Sequence, residues 1–117
     1  MEWNQVLFDK WLHLREEFKA LKKQKRYDDY IATGQEIIEL ARRAKFIGIM
    51  IPLFQYDLAK ANEILGKLDE SEKCYADARK GFVHIRQEER LAHPGDWLAE
   101  IARIDRAVQR IRGKKAV

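Results

Sequence analysis

The sequence predicts an all-α fold of about five helices paired as antiparallel hairpins, and three observations carry the prediction. Apolar residues recur at steps of three and four along most of the chain, the spacing that gathers side chains on one face of a helix. Only two prolines and six glycines occur in 117 residues, so few positions oppose a helical backbone. Residues 61–82, ANEILGKLDESEKCYADARKGF, hold the end of one helix, a short break and the start of the next.

That break can be read residue by residue. Phe54, Leu58, Ala61 and Leu65 form one apolar stripe, and Gly66 supplies a residue able to take positive φ at a helix end. Asp69, followed three residues later by Glu72, is expected to form a capping box worth about 1 kcal/mol at the start of the next helix. The new helix carries Ser71, Tyr75, Ala78, Phe82 and Ile85 along one face, with Cys74 beside it. So short a link makes the two helices pack on each other, and Ala61, Ser71, Ala78 and Gly81 are small enough to let their axes approach.

The remaining elements follow the same logic. A first helix is predicted over 4–23, with Leu7, Trp11, Leu14, Phe18 and Leu21 as its stripe and Phe8 and Leu12 broadening it. A second runs over 27–43 with Tyr27, Tyr30, Ile31, Gly34, Ile37, Ile38 and Ala41 inward. Asp28 and Asp29 near its start and Arg42 and Arg43 near its end match the helix dipole. Gly34 costs about 1 kcal/mol relative to alanine in mid-helix, which points to a neighbouring helix passing close by. The segment 45–52, KFIGIMIP, reads as a buried linker or an early helical turn, because a lone strand would have no partner. Pro52 is tolerated in a first turn, so the third helix is placed at 51–65. The fourth follows at 69–91. His93-Pro94-Gly95 marks a turn, and Asp96 is expected to cap a fifth helix over 96–112 that packs through Trp97, Leu98, Ile101, Ile104, Val108 and Ile111 and stops before Gly113.

Composition bounds the function. Residues 1–117 fit a single domain, and 46% hydrophobic with 36% charged residues describes a folded, helix-rich protein. The net charge of +4 permits anionic partners, but a solvated surface is the better explanation of so small an excess, which is not a sign of DNA binding. Cys74 is the single cysteine, so no internal disulfide, CxxC redox pair or cysteine-based zinc site can form. The longest apolar run, 46–54, falls far short of the roughly 20 residues that span a bilayer, and the first residues show no secretory signal. A cytoplasmic location without membrane attachment is the expectation.

Catalytic patterns are weak. His13, His84 and His93 show no metal-ligand spacing, Glu16 and Glu17 or Glu88 and Glu89 point in different directions on a helix, and there is no glycine-rich phosphate loop. The expectation is a protein that is not an enzyme and uses neither cofactor nor metal.

Tyr27-Asp28-Asp29-Tyr30 and Leu68-Asp69-Glu70-Ser71 open two helices 41 residues apart, a period that belongs to α-solenoids of stacked hairpins. Within the second unit Leu58 and Ala59, Gly66, Ser71, Tyr75 and Ala78 resemble the tetratricopeptide repeat family. Upstream, Tyr27 fits, while Glu17, Phe18 and Tyr30 stand where leucine and small residues occur; downstream, Ile101 and Ala102 restore the first-helix pair. The resemblance implies a right-handed, tetratricopeptide-like array of antiparallel helical hairpins. In that family the first helix of each pair lines a concave groove that receives an extended peptide or a helix.

Carried over by register, the groove-facing residues are Leu12, Arg15, Glu16, Lys19, Lys22 and Lys23 on the first helix and Leu53, Tyr56, Asp57, Lys60, Glu63 and Ile64 on the third. Glu100, Arg103 and Arg106 belong to the fifth. The candidate partner-binding set is Arg15, Lys19, Lys22, Lys23, Tyr56, Lys60, Arg103 and Arg106. Glu16, Asp57 and Glu100 share a recurring position and would repel a carboxylate, which argues against a dedicated carboxylate clamp. The leading expectation is a noncatalytic adaptor that binds an acidic or amphipathic peptide or helix in a mixed-charge, partly basic groove. A structural role, with a homo-oligomer or larger assembly formed through Phe46, Ile49, Met50 and Ile51, is the alternative. Nucleic-acid attachment through Lys19–Arg26 together with Arg110, Arg112, Lys114 and Lys115 is a third reading, without a recognition motif to support it.

Overall fold

The periodic segments fold as five helices in a computed structural model that describes residues 5–44, 50–88 and 91–117. They are α1 (Gln5–Lys23), α2 (Tyr27–Ala44), α3 (Met50–Ile64), α4 (Leu68–Gln87) and α5 (Leu98–Lys115). Each packs on its neighbour in sequence, with the α3–α4 pair the most extensive. Sequential stacking gives an elongated body, 50 × 36 × 20 Å. Its radius of gyration is 15.0 Å, against about 13 Å for a compact domain of this length.

The two hairpin turns are the same device used twice. The Lys25 amide donates to the Lys22 carbonyl at 3.0 Å and the Arg26 amide to the Leu21 carbonyl at 3.0 Å. Gly66 donates to Glu63 at 3.0 Å and Lys67 to Asn62 at 2.9 Å. Both are Schellman closures with a left-handed residue, Lys25 at φ 57° and Gly66 at φ 76°. The next helix restarts in the same register at both, through Tyr30 to Arg26 and Ser71 to Lys67 at 2.9 Å each.

Two buried clusters share α3. Trp11, Leu14, Phe18 and Leu21 of α1 meet Tyr30, Ile31, Ile37, Ile38 and Leu40 of α2 and Phe54, Leu58 and Ala61 of α3. Ala59 of α3 joins Tyr75, Ala78 and Phe82 of α4 and Ile104, Ala107 and Ile111 of α5. Because α3 faces protein on several sides, its buried set includes the polar Gln55 and Asn62. Asn62 satisfies its amide by donating to the Leu58 carbonyl at 2.9 Å, and buried Ser71 donates to the Ala59 carbonyl at 2.7 Å. At Gly34 α2 is approached closely by its neighbours: a Cβ there would lie 2.5 Å from Leu58 Cδ2 and 2.9 Å from the Phe18 ring.

Four local expectations are corrected. Asp69 does not cap α4, since Lys67 stands at the N-cap without a side-chain bond. Asp69 and Glu72 turn instead to Lys115, at 2.5 and 3.1 Å. Asp96 does not cap α5 either; Trp97 occupies the N-cap position without a side-chain bond, in a left-handed conformation at φ 70°, while the Asp96 carboxylate accepts the His93 amide at 3.0 Å. The fifth helix also runs through Gly113 to Lys115, because its last turn is tied to α3 and α4 by Lys114 and Lys115. The expected end of the fourth helix is shortened to Gln87, with 89–90 outside the described residues.

Candidate functional site

The stacking leaves α3 between two open pockets. The first, about 320 Å³, lies between α1 and α3 and is lined by Arg15, Phe18, Lys19, Lys22, Tyr30, Met50, Leu53, Phe54 and Asp57. Its wall is aromatic: the Phe18 and Tyr30 rings stack at 3.9 Å between centroids, and Phe54 meets Phe18 edge-on at 5.3 Å. Cations rim it. The Arg15 guanidinium lies 4.6 Å above the Trp11 ring, and Lys19 makes a long, exposed pair with Glu16 at 3.6 Å that contributes little. Burial pushes the Asp57 carboxyl up despite the opposing pull of Lys60 and Lys22, and burial with Asp57 nearby raises the Tyr30 hydroxyl strongly.

The second pocket, about 240 Å³, lies between α3 and α5 and is lined by Tyr56, Lys60, Glu63, Tyr75, Arg103, Arg106, Ala107 and Arg110. Tyr56 and Tyr75 meet edge-on at 5.8 Å, and the Lys60 ammonium sits 4.8 Å from the Tyr56 centroid and 3.5 Å from Asp57. Glu63 is the organiser. Arg110 forks onto it with Nε and Nη2 at 2.8 and 2.7 Å, and Lys114 adds a third bond at 2.9 Å. The Arg110 hydrogen bond, with help from Lys114, outweighs burial and brings the Glu63 carboxyl down to about 2. Burial and the Glu63 charge push the Tyr75 hydroxyl up to about 12.

The sequence-derived set is thus divided between the pockets. Arg15, Lys19 and Lys22 edge the first, and Tyr56, Lys60, Arg103 and Arg106 the second. Lys23 lines neither and is exposed, as are Leu12 and Ile64. Register alone missed Phe18, Tyr30, Met50 and Phe54 in the first pocket and Tyr75, Ala107 and Arg110 in the second. Arg110 had a signal, since Arg103, Arg106 and Arg110 recur at helical spacing; Tyr30 and Tyr75 had none, being read as core.

Of the apolar patch weighed for assembly, Met50 and Ile51 are half-buried and pack on the first cluster, and Phe46 and Ile49 lie outside the described residues. The C-terminal cations weighed for nucleic acid are paired: Arg110 and Lys114 with Glu63, Arg112 and Lys115 with Glu72. Arg26 is held by Asp29 at 2.6 Å. Among the described residues no group of His, Cys, Asp and Glu is arranged to hold a metal ion, and no helix is long and apolar enough to cross a membrane. Burial, reinforced by Asp77 and Glu70, raises the Cys74 thiol away from the reactive thiolate.

No family model, curated protein sequence or solved structure matches the chain.

Proposed function

We propose that this protein is a noncatalytic interaction module that holds a peptide or helix of a partner protein across α3. One observation carries the reading: the first pocket joins an aromatic and aliphatic wall of Phe18, Tyr30, Met50, Leu53 and Phe54 to a rim of Arg15, Lys19 and Lys22. Apolar side chains of a partner segment supply affinity in such a pocket, and its acidic residues supply register and encounter rate against the rim. The second pocket lies on the other flank of α3 and extends the same surface toward α5. The matched turns 41 residues apart support a tetratricopeptide-like reading of this architecture. A lone thiol that leaves no internal disulfide suits an adaptor of the reducing cytoplasm.

Quantitative pull-down from cell extract tests the proposal, comparing the wild type with Lys19→Glu/Lys60→Glu. The double variant exchanges one cation on each flank of α3 at exposed positions, so circular dichroism should match the wild type. Partners recovered by the wild type should fall away in the variant. Equal recovery of every partner by both proteins rejects the groove.

A further inference from the structure

The second pocket has a charge balance that its own ion pairs leave incomplete. Five cations, Lys60, Arg103, Arg106, Arg110 and Lys114, stand in or beside it. The carboxylates that meet them are Asp57, Glu63 and Glu100, an excess of two positive charges. Glu63 is saturated by Arg110 and Lys114, and Asp57 is taken by Lys60. Arg103 comes no closer than 3.9 Å to Glu100, beyond hydrogen-bonding distance. Arg106 has no acidic partner among the described residues. Two guanidinium groups one helical turn apart therefore keep their donors free at the mouth of a tyrosine-walled pocket.

We infer that this pocket receives the phosphate monoester of a phosphorylated side chain on the partner segment. The inference rests on the interaction-module reading and names the chemistry of one of its two pockets. A phosphate monoester near neutral pH carries about −1.5 to −2 charge and three acceptor oxygens, which matches both the excess charge and the free donors. Guanidinium forks engage phosphate bidentately, and three of the five cations are arginines on one face of α5. Glu63 has a definite part in this arrangement: by anchoring Arg110 and Lys114 it holds the floor of the pocket rigid, leaving Arg103 and Arg106 to close on the ligand. The pocket is local, about 240 Å³ between two helices. The neighbouring Arg112 and Lys115 are consumed by Glu72, so no basic track leads away along α5 for a polynucleotide backbone. A single dianion is favoured over an extended polyanion.

Arrays of random-flank peptides with one fixed phosphoserine, phosphothreonine or phosphotyrosine, their unphosphorylated twins and a short oligouridylate provide the test. Retention of the phosphorylated forms should exceed that of their twins by at least about tenfold, the scale of charge-assisted bidentate bonding. Arg106→Glu should abolish the preference and Arg106→Lys should keep part of it. In parallel, phenyl phosphate should shift the NMR signals of Tyr56 and the Arg106 side chain and leave those of Lys19 unmoved. Equal retention of phosphorylated and unphosphorylated peptides overturns the inference, as does a preference that survives Arg106→Glu or tighter retention of oligouridylate. Peptides that bind without phosphate preference but are lost in Lys19→Glu leave the interaction module standing and remove this site alone. If no peptide binds and phenyl phosphate moves nothing, both readings fall.

Discussion

The α1–α2 and α3–α4 hairpins share a turn and differ in what fills the space behind it. In the second, Ala59 faces Ser71, whose hydroxyl bonds the Ala59 carbonyl at 2.7 Å, and the aromatic Tyr75 comes one turn later. In the first, the residues 41 positions earlier are Phe18, Tyr30 and Gly34. Bulk and void have changed places by one helical turn. Phe18 stacks on Tyr30 at 3.9 Å where the other hairpin is narrow, and Gly34 makes room for Leu58 where the other hairpin is wide. The residues at both joints are buried, so close packing is met by different sets of side chains in the two hairpins. The exchange also shapes the surface, since the displaced aromatics of the first hairpin form a wall of the first pocket.

The most severe way to break this contrast is to impose the second solution on the first hairpin. Tyr30→Ser deletes a buried ring stacked on Phe18 and should cost about 3 to 5 kcal/mol in urea denaturation. The reciprocal Ser71→Ala removes one buried hydrogen bond and should cost only about 1 kcal/mol. Similar losses at the two sites would mean that the hairpins are packed alike after all.

A smaller effect separates the hairpins electrostatically. Glu63, whose counterpart 41 residues earlier is Lys22, has a side chain only 12% exposed and a depressed carboxyl near 2. A carboxylate whose pKa falls on folding stabilises the fold above its unfolded value and loses that contribution as pH drops through the folded one. Stability on the order of 2 kcal/mol should therefore disappear between about pH 4.5 and pH 2. Glu63→Gln should flatten that part of the pH–stability curve. An unchanged curve would show that Arg110 and Lys114 do not clamp α5 to α3.

The gentlest comparison concerns the turns. Lys25 and Gly66 both have positive φ, but only the lysine carries a Cβ there. Lys25→Gly should stabilise by up to about 1 kcal/mol, and Gly66→Ala should destabilise by about 1 kcal/mol. Opposite signs in thermal melts would sharpen the equivalence of the two turns; a loss in both would break it.

Much of the fold was legible because helices and their joints are encoded locally. The stripe of Trp11, Leu14, Phe18 and Leu21, the Gly66 turn and the close approach at Gly34 all appear where periodicity and backbone preference put them. The caps were misread at Asp69 and Asp96 for a physical reason: a carboxylate near a helix start answers to any donor in reach, and Lys115 and the His93 amide outcompete the helix's own amides. The site was half legible. Register found Arg15, Lys19, Lys22, Tyr56, Lys60, Arg103 and Arg106 as one series, whereas the structure separates them onto two flanks of α3.

By itself the sequence determined five amphipathic helices, the Gly66 turn and an all-α fold, because each depends on residues within a few positions of one another; that Lys25 makes an equivalent turn appeared only in the structure. Only the tertiary structure decided which cations are free. Arg110 meets Glu63 across 47 residues and Lys115 meets Glu72 across 43, while Arg106, on the same helix, meets no carboxylate among the described residues. Charge spacing along α5 is identical in kind for all three; partner and solvent are assigned when the helix docks.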